Sequence, residues 1–201
     1  MPRARSCWNG FNKKQEKFEN AMKKLWGAAL CGMMLVTISA EADTLKVDKS
    51  RSRIQVDAKA TGHAFTGTLE KYTVKVLGDS TTLQPTFFQL DWKFADLKTG
   101  DKKRDEAMVK WLDEKGPKGS FKFIKTWDQD GKHYAQGEIA IHGVSKVIAF
   151  PYTATEHAGW VTIDGTAELN YKDFSLPIIR SMAVMTVDPK LSVRFHIVGK
   201  H

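Results

Sequence analysis

The residues Tyr134–Thr153 read YAQGEIAIHGVSKVIAFPYT, and two runs of mostly alternating apolar and polar side chains flank His142-Gly143. A period of two is typical of a β-strand, because successive side chains of a strand point to opposite faces. Glycine tolerates a positive φ, so His142-Gly143 is a turn signal. Strands joined by so short a turn are antiparallel neighbours. The stretch therefore predicts a β-hairpin.

The same period recurs along most of the sequence after residue 53 and predicts about eight strands. They are Ile54–Val56, Tyr72–Val76, Phe88–Phe94, Phe121–Phe123, Tyr134–Ile141, Val147–Thr153, Val161–Leu169 and Leu191–Ile197. Further turn signals that tolerate positive φ lie at Gly78-Asp79-Ser80, Asp130-Gly131 and Ala158-Gly159. A parallel sheet would need a crossover of about a dozen residues at most junctions, and there is room for one or two. The sheet is therefore predicted to be antiparallel.

One segment, residues 101–114, has the period of a helix. Ala107, Met108, Trp111 and Leu112 fall on one face, with charged residues elsewhere. Asp101 is the predicted N-cap, and Gly116-Pro117 ends the helix. We expect this helix to lie over the sheet with Met108 and Trp111 against it.

Eight antiparallel strands form either two packed sheets or a closed barrel, and closure removes the exposed sheet edges that promote aggregation. We therefore predict a mainly β fold, an eight-stranded antiparallel barrel with one α-helix over it. The interior of such a barrel is filled by side chains or holds one ligand, as in lipocalins. The alternation of residues is the same in both cases.

An apolar run at Leu25–Ile38 follows Lys23-Lys24 and precedes the small-residue triplet Ala40-Glu41-Ala42. This arrangement is typical of a secretory signal peptide over 22–42, cleaved after Ala42. A membrane anchor would need about 20 apolar residues. We expect a periplasmic domain at 43–201, preceded by an unstructured extension at 1–21 unless translation begins at Met22.

Composition excludes several kinds of site from residues 43–201. The two cysteines, Cys7 and Cys31, both precede this region, so it holds no cysteine nucleophile, iron-sulfur cluster or cysteine zinc site. Residues 1–42 hold 7 of the 31 basic and 3 of the 23 acidic residues, which leaves 24 − 20 = +4. Acidic neighbours flank the basic run Lys102–Arg104, so nucleic acid is not an expected partner.

Several phrases together resemble one known family, in this order along 43–201. They are Gly62-His63-Ala64-Phe65-Thr66-Gly67, Thr99-Gly100-Asp101 to Arg104-Asp105, Trp111-Leu112, Pro117 to Phe121, and Gly137 to Lys146. This region resembles the YceI-like family of exported, lipocalin-like proteins. The resemblance implies an extended barrel whose apolar tunnel binds an isoprenoid lipid, a quinone or polyprenyl compound, or another long-chain amphiphile. It implies no catalysis and no cofactor other than such a lipid.

The expected ligand-binding residues are mostly aromatic. They are His63, Phe65, Trp92, Met108, Trp111, Phe121, Phe123 and Phe150, with Phe88 and Phe195 as further wall candidates. Burying one CH2 group contributes about 0.8 kcal/mol, so apolar walls alone could hold a long tail. The alternative is that these rings fill the core. His63 is expected to bond a lipid head group, or else to be a structural histidine.

Other functions remain as alternatives. One is a filled barrel for protein interaction or stress protection, and another is a small lipid-modifying enzyme. The six histidines show no i, i+2 or i, i+4 pairs, so no metal site is expected. Ser145 follows His142 by three residues but lacks the glycine pattern of a nucleophile elbow. Transient membrane contact and a homodimer are the remaining expected interactions.

Overall fold

The computed structural model describes residues 43–112, 117–181 and 185–201. The predicted extension and signal peptide, and residues 113–114 of the predicted helix, lie outside the described residues. The strands are β1 Asp43–Val47, β2 Arg53–Ala60, β3 His63–Leu69, β4 Tyr72–Gly78, β5 Pro85–Lys93, β6 Leu97–Lys98, β7 Lys118–Gln129, β8 Lys132–Ile141, β9 Val144–His157, β10 Trp160–Asn170, β11 Arg180–Ser181, β12 Met185–Thr186 and β13 Lys190–Lys200.

Eight strands close into an antiparallel barrel, as predicted. The ring runs β1-β4-β5-β7-β8-β9-β10-β13 and returns to β1 through the pairs Lys46↔Lys200 and Val47↔Gly199. β2 also pairs with β13, at residues 192–196, before the residues of β13 that pair with β1. β3 pairs with β2, and β6 pairs with β3. β13 therefore pairs with three strands, β1, β2 and β10.

All eight predicted strands are present, but β1, β3 and the two-residue strands β6, β11 and β12 were not predicted. β1 has five residues, of which Leu45 alone is buried, so it is too short to show a period. Phe94, predicted as the end of a strand, instead begins a 3-10 turn, Phe94–Asp96. The predicted strand at Ile54–Val56 belongs to β2, outside the ring of eight, and β1 completes the ring instead.

Three of the four predicted turns have the expected backbone. The φ angles are 52° and 71° at Asp130-Gly131, 52° and 77° at His142-Gly143, and 51° and 76° at Ala158-Gly159. Positive φ at both positions is the type I′ geometry that matches the twist of a hairpin. The prediction for Gly78-Asp79-Ser80 was wrong in this respect, because the positive φ of that loop, 57°, is at Leu83.

The helix α1 spans Lys102–Trp111, so Leu112, predicted to be helical, lies just after its last residue. Asp101 caps it as predicted, since its carboxylate accepts hydrogen bonds from the backbone N–H groups of Lys103 and Arg104 at 2.9 and 3.1 Å. Leu112, just after the helix, is 2% exposed and anchors it to the core. A second 3-10 turn, Tyr171–Phe174, follows β10.

The core is packed solid where the ring closes. Leu45, Val76 and Ile197 are at most 4% exposed, and Leu45 pairs with Val76 across β1 and β4. Gly199, the partner of Val161 on β10, leaves room for the Leu45 side chain. None of the helices in the described parts of the chain is long and apolar enough to cross a bilayer.

Candidate functional site

An apolar cavity of about 580 Å3 occupies the barrel interior beyond this packed end. Side chains from β2, β3, β5, β7, β8, β9, β10, β13 and α1 line it, so most of the barrel wall takes part. Their inward positions alternate along each strand, as in Ile54, Val56 and Ala58 of β2. Such a volume falls within the range of ordinary ligand pockets, about 300–1,000 Å3.

Every residue predicted from sequence as ligand-binding lies on this cavity. These are His63, Phe65, Trp92, Met108, Trp111, Phe121, Phe123 and Phe150, and the further candidates Phe88 and Phe195 line it as well.

A row of aromatic rings crosses the cavity wall. Phe88 lies 5.9 Å from Phe121, Phe121 lies 5.8 Å from Phe150, and Phe150 lies 5.4 Å from Phe195, measured between ring centroids. The rings meet edge to face or tilted, which are favourable arrangements for aromatic pairs. The row links β5, β7, β9 and β13, so one wall of the cavity is stiff and hydrocarbon-like.

Glycines make room for these rings on neighbouring strands. A Cβ atom at Gly137 would lie 2.1 Å from Cζ of Phe121, and a Cβ at Gly119 would lie 2.2 Å from Cζ2 of Trp92. Trp92 and Gly119 are direct cross-strand partners. The large side chains therefore lie flat over glycine backbone instead of projecting to the barrel axis, which leaves the axis open.

The helix α1 covers one side of the cavity, as predicted for Met108 and Trp111. Both are half-buried and line the cavity. The Trp111 indole N–H donates to the carbonyl of Pro177 at 3.2 Å, and its ring meets Tyr171 edge to face at 5.4 Å. Ala107 also lines the cavity but is exposed, so the predicted apolar face of the helix is only partly covered.

Residues 179 and 187, which follow the second 3-10 turn, are held beside the cavity by one tyrosine. The Tyr171 hydroxyl donates to the carbonyl of Val187 at 2.8 Å and accepts from the N–H of Ile179 at 3.3 Å. Thr186 is in turn bonded to Thr61 in the β2–β3 turn, with its carbonyl accepting from Thr61 N–H at 3.0 Å. These contacts bring residues 179, 186 and 187 to the same rim as His63.

Charged groups of the cavity wall belong to this rim. The Arg104 guanidinium lies 4.3 Å above the Phe65 ring and 3.6 Å from the Asp101 carboxylate. Hydrogen bonds from the backbone N–H groups of Arg104 and Lys103 lower the pKa of Asp101. Lys103 and Arg180 also line the cavity.

His63 is exposed at the rim, 6.1 Å from the Phe65 ring. Within the described residues its side chain makes no hydrogen bond to protein, so the head-group role and the structural role predicted for it both stay predictions. Tyr152, deeper in the cavity, is buried, and that burial raises the pKa of its hydroxyl.

Sequence reasoning missed the aliphatic and cationic parts of the wall. Leu90 lines the cavity between Phe88 and Trp92, and the inward alternation of β5 could have identified it. Arg104 could have been predicted to line the cavity, because it lies four residues before Met108 and therefore on the same face of the helix. Tyr171 had no signal, because its role depends on contacts with residues 179 and 187 that the sequence does not reveal.

A second depression, of about 870 Å3, lies outside the barrel and is more open. Its polar groups largely bind one another. Arg194 forms a two-point ion pair with Asp57, with 2.9 Å between Nη2 and Oδ1, and His196 Nδ1 lies 2.7 Å from Asp164. Among the described residues, no three histidine or carboxylate groups gather as metal ligands would. The enclosed cavity is therefore the better candidate site.

Comparison with solved structures finds the same barrel in proteins from three named organisms. BcnA of Burkholderia cenocepacia matches with a TM-score of 0.68 at 20% identity, over 77% of this chain and 100% of BcnA. A polyisoprenoid binding domain of Saccharophagus degradans, implicated in plant cell wall breakdown, gives 0.62 at 15% identity, over 80% and 99%. A Campylobacter jejuni YCEI protein gives 0.58 at 16% identity, over 67% and 84%. At these identities the likeness establishes the fold.

Comparison with curated protein sequences gives no match. The sequence model of the YceI-like domain, in contrast, matches residues 45–199, nearly the whole of the barrel. The match overlaps all the strands of the ring and includes every residue of the cavity named above. The chain belongs to the YceI-like family.

Proposed function

We propose that this protein binds and carries an isoprenoid lipid, a quinone or polyprenyl compound, or another amphiphile with a long hydrocarbon tail. The observation that carries the proposal is the apolar cavity of about 580 Å3 inside a closed barrel. The Saccharophagus degradans neighbour, described as a polyisoprenoid binding domain, has the same fold and supports this ligand class.

The tail would lie along the row of phenylalanines. Each CH2 group removed from water contributes about 0.8 kcal/mol before the costs of ordering the tail. The ligand-binding role predicted for His63, Phe65, Trp92, Met108, Trp111, Phe121, Phe123 and Phe150 follows from their place on this wall. A barrel that acted only as a rigid interaction module would gain nothing from an internal space of this size.

The head group would remain at the rim near His63 and Arg104. Carriage is favoured over catalysis because the wall is mainly hydrocarbon, whereas the charged side chains Asp101, Lys103 and Arg104 belong to the rim. We further propose that residues 22–42 direct export to the periplasm and are removed after Ala42. N-terminal sequencing of protein recovered from the cell envelope should then begin at Asp43.

The binding proposal can be tested by filling the cavity. Val56 lines the cavity and Gln55 is its outward neighbour on β2. Protein expressed from the full chain should carry a co-purifying long-chain lipid in native mass spectrometry. Val56→Trp should remove most of this lipid and Gln55→Trp should retain it. Equal lipid in both variants, or no lipid in any preparation from the native envelope, would contradict the proposal.

A further inference from the structure

The outer surface of β7, β8 and β9 carries apolar side chains that point away from the cavity. Ile124 and Val147 are 49% and 57% exposed, and they are the exposed large hydrophobic residues of the part of the chain that the structure describes. Val147 pairs with Glu138, and Glu138 pairs with Lys122, two residues before Ile124. Both exposed side chains therefore lie on one patch of the sheet.

Aromatic residues extend this patch. Trp127 and Tyr134 are cross-strand partners whose rings stack at 5.4 Å with 13° between their planes. Pro151, exposed on β9, is the next partner of Tyr134. The outer apolar face is defined here as Ile124, Trp127, Tyr134, Val147, Ala149 and Pro151.

Lysines lie on the same side of the sheet as the outer apolar face. Those that point outward from β5, β7 and β8 are Lys93, Lys118, Lys122, Lys125 and Lys132, against the carboxylates Asp91 and Glu138. The Lys125 ammonium lies 5.8 Å from the centre of the Trp127 ring. Lys93 and Lys118 are direct cross-strand partners, and like charges in that position destabilise a sheet. An anionic surface placed against them would relieve this repulsion.

We propose that the outer apolar face docks the protein on the surface of an anionic lipid bilayer. Tryptophan and tyrosine favour the boundary between hydrocarbon and water, and lysines near an anionic leaflet add attraction. A second copy fits less well, because a two-fold contact would place the same lysines against each other. The proposal does not depend on the ligand of the cavity, since docking is measured without that ligand.

The first test measures sedimentation with vesicles, using protein expressed from the full chain. Binding is expected to vesicles of equal parts phosphatidylglycerol and phosphatidylcholine, to weaken with added salt, and to be much lower with phosphatidylcholine alone. Lys122→Gln and Lys125→Gln should each weaken binding about fivefold. The matched controls Lys59→Gln and Lys172→Gln remove exposed lysines from other surfaces and should leave binding unchanged. Equal losses in both pairs would overturn the proposal.

The second test locates the contact. Vesicles with brominated acyl chains should quench part of the tryptophan fluorescence, and Trp127→Phe should remove most of that quenching. The double variant Ile124→Ser with Val147→Ser should weaken vesicle binding several-fold at an unchanged urea midpoint. Any vesicle binding or quenching that residues 1–42 cause is the same in all these variants, because none of them changes those residues. Unchanged quenching in Trp127→Phe would overturn the proposal. So would an unmodified protein that binds no vesicles and instead forms a dimer, if the double variant is a monomer.

Discussion

At the scale of single residues, glycines opposite aromatic rings determine how the barrel interior is divided. Gly137 lies against Phe121 so closely that a Cβ atom there would be 2.1 Å from Cζ and 2.7 Å from the Lys122 carbonyl oxygen. The ring can lie against the wall because no side chain stands in its way. The same relation holds between Gly165 and Phe195.

Gly137→Ala should therefore destabilise the protein, although alanine normally favours folding over glycine. Because the added methyl group forces Phe121 or its strand to move, we expect a loss of about 1–3 kcal/mol in the free energy of unfolding. Urea denaturation measures it. Gly67→Ala is the control, since its Cβ would meet only side-chain atoms, of Leu97 at 3.1 Å and of Thr99 at 3.5 Å. A smaller loss in Gly137→Ala than in Gly67→Ala would refute this account.

Asp57 gives a prediction about pH. Hydrogen bonds from Arg194, and then from the Thr66 hydroxyl, lower the pKa of this carboxyl group below 3.8. Because the pKa is lower in the folded state, the ion pair stabilises the protein above pH 3.8, and this stabilisation is lost as the pH falls through the folded-state pKa.

Asp57→Asn should therefore cost about 0.5 kcal/mol at pH 7, a modest amount because the pair is partly exposed. The difference from the unmodified protein should shrink as the pH falls below 3.8 and vanish once the pH lies well below the folded-state pKa of Asp57. Urea denaturation at a series of pH values measures it, with Asp173→Asn as the control. A difference that grows on acidification would have the wrong sign.

At the scale of elements, the connection between β6 and α1 depends on one side-chain pair. The Asp105 carboxylate accepts hydrogen bonds from the backbone N–H of Thr99 at 3.0 Å and from its hydroxyl at 2.7 Å. The helix that covers the cavity is thus tied to the wall strand before it. This tie fixes where Arg104 and Met108 meet the cavity.

Thr99→Val keeps the shape of the side chain and removes one of the two hydrogen bonds to Asp105. We expect the free energy of unfolding to fall by about 1 kcal/mol. Thr73→Val, at an exposed position of β4 without a side-chain hydrogen bond among the described residues, should change it by less than about 0.5 kcal/mol. Thermal unfolding followed by circular dichroism compares the two variants. Equal losses would show that the hydrogen bond between the Thr99 hydroxyl and Asp105 does not stabilise the protein.

Elements with a clear period could be predicted from the sequence, and those without one could not. The long strands β8 and β10 alternate over most of their length, β13 alternates as far as Ile197, and α1 begins with a capping aspartate. β3 has the sequence HAFTGTL. Its buried positions are Gly67 and Leu69, and because glycine is not apolar enough to mark a core position, no apolar period of two is visible. Its position is set by pairing with β2, a tertiary contact.

At the scale of the whole molecule, the closed barrel could be predicted but its hollow interior could not. Inward side chains alternate in the same way whether they meet at the axis or lie against the wall. What decides between the two is the pairing of Trp92 with Gly119 and the approach of Phe121 to Gly137, which depend on register. The aromatic wall residues were predictable because they are large and inward. The rim contacts of Tyr171 depend on the folded chain.

The ring closes where β1 packs closely against Gly199 of β13, and this contact can be tested. A Cβ atom at Gly199 would lie 2.7 Å from Cγ of Leu45 and 2.8 Å from the carbonyl oxygen of Lys46. Gly199→Val should therefore push β1 away from β13, lower the free energy of unfolding by about 3 kcal/mol and speed amide exchange in β1. Unchanged exchange at Leu45 and Lys46 would show that closure tolerates the substitution.

The three partners of β13 have a consequence for how the protein is made. The Ser52 hydroxyl accepts a hydrogen bond from Val198, 146 positions later in the sequence, so the barrel cannot close on the ribosome before β13 has been synthesised. Until then its apolar inner surfaces have no partner, and such distant pairings form slowly. The nascent chain should therefore stay unfolded long enough to need chaperones, and an unfolded chain is the form that a narrow translocation channel admits.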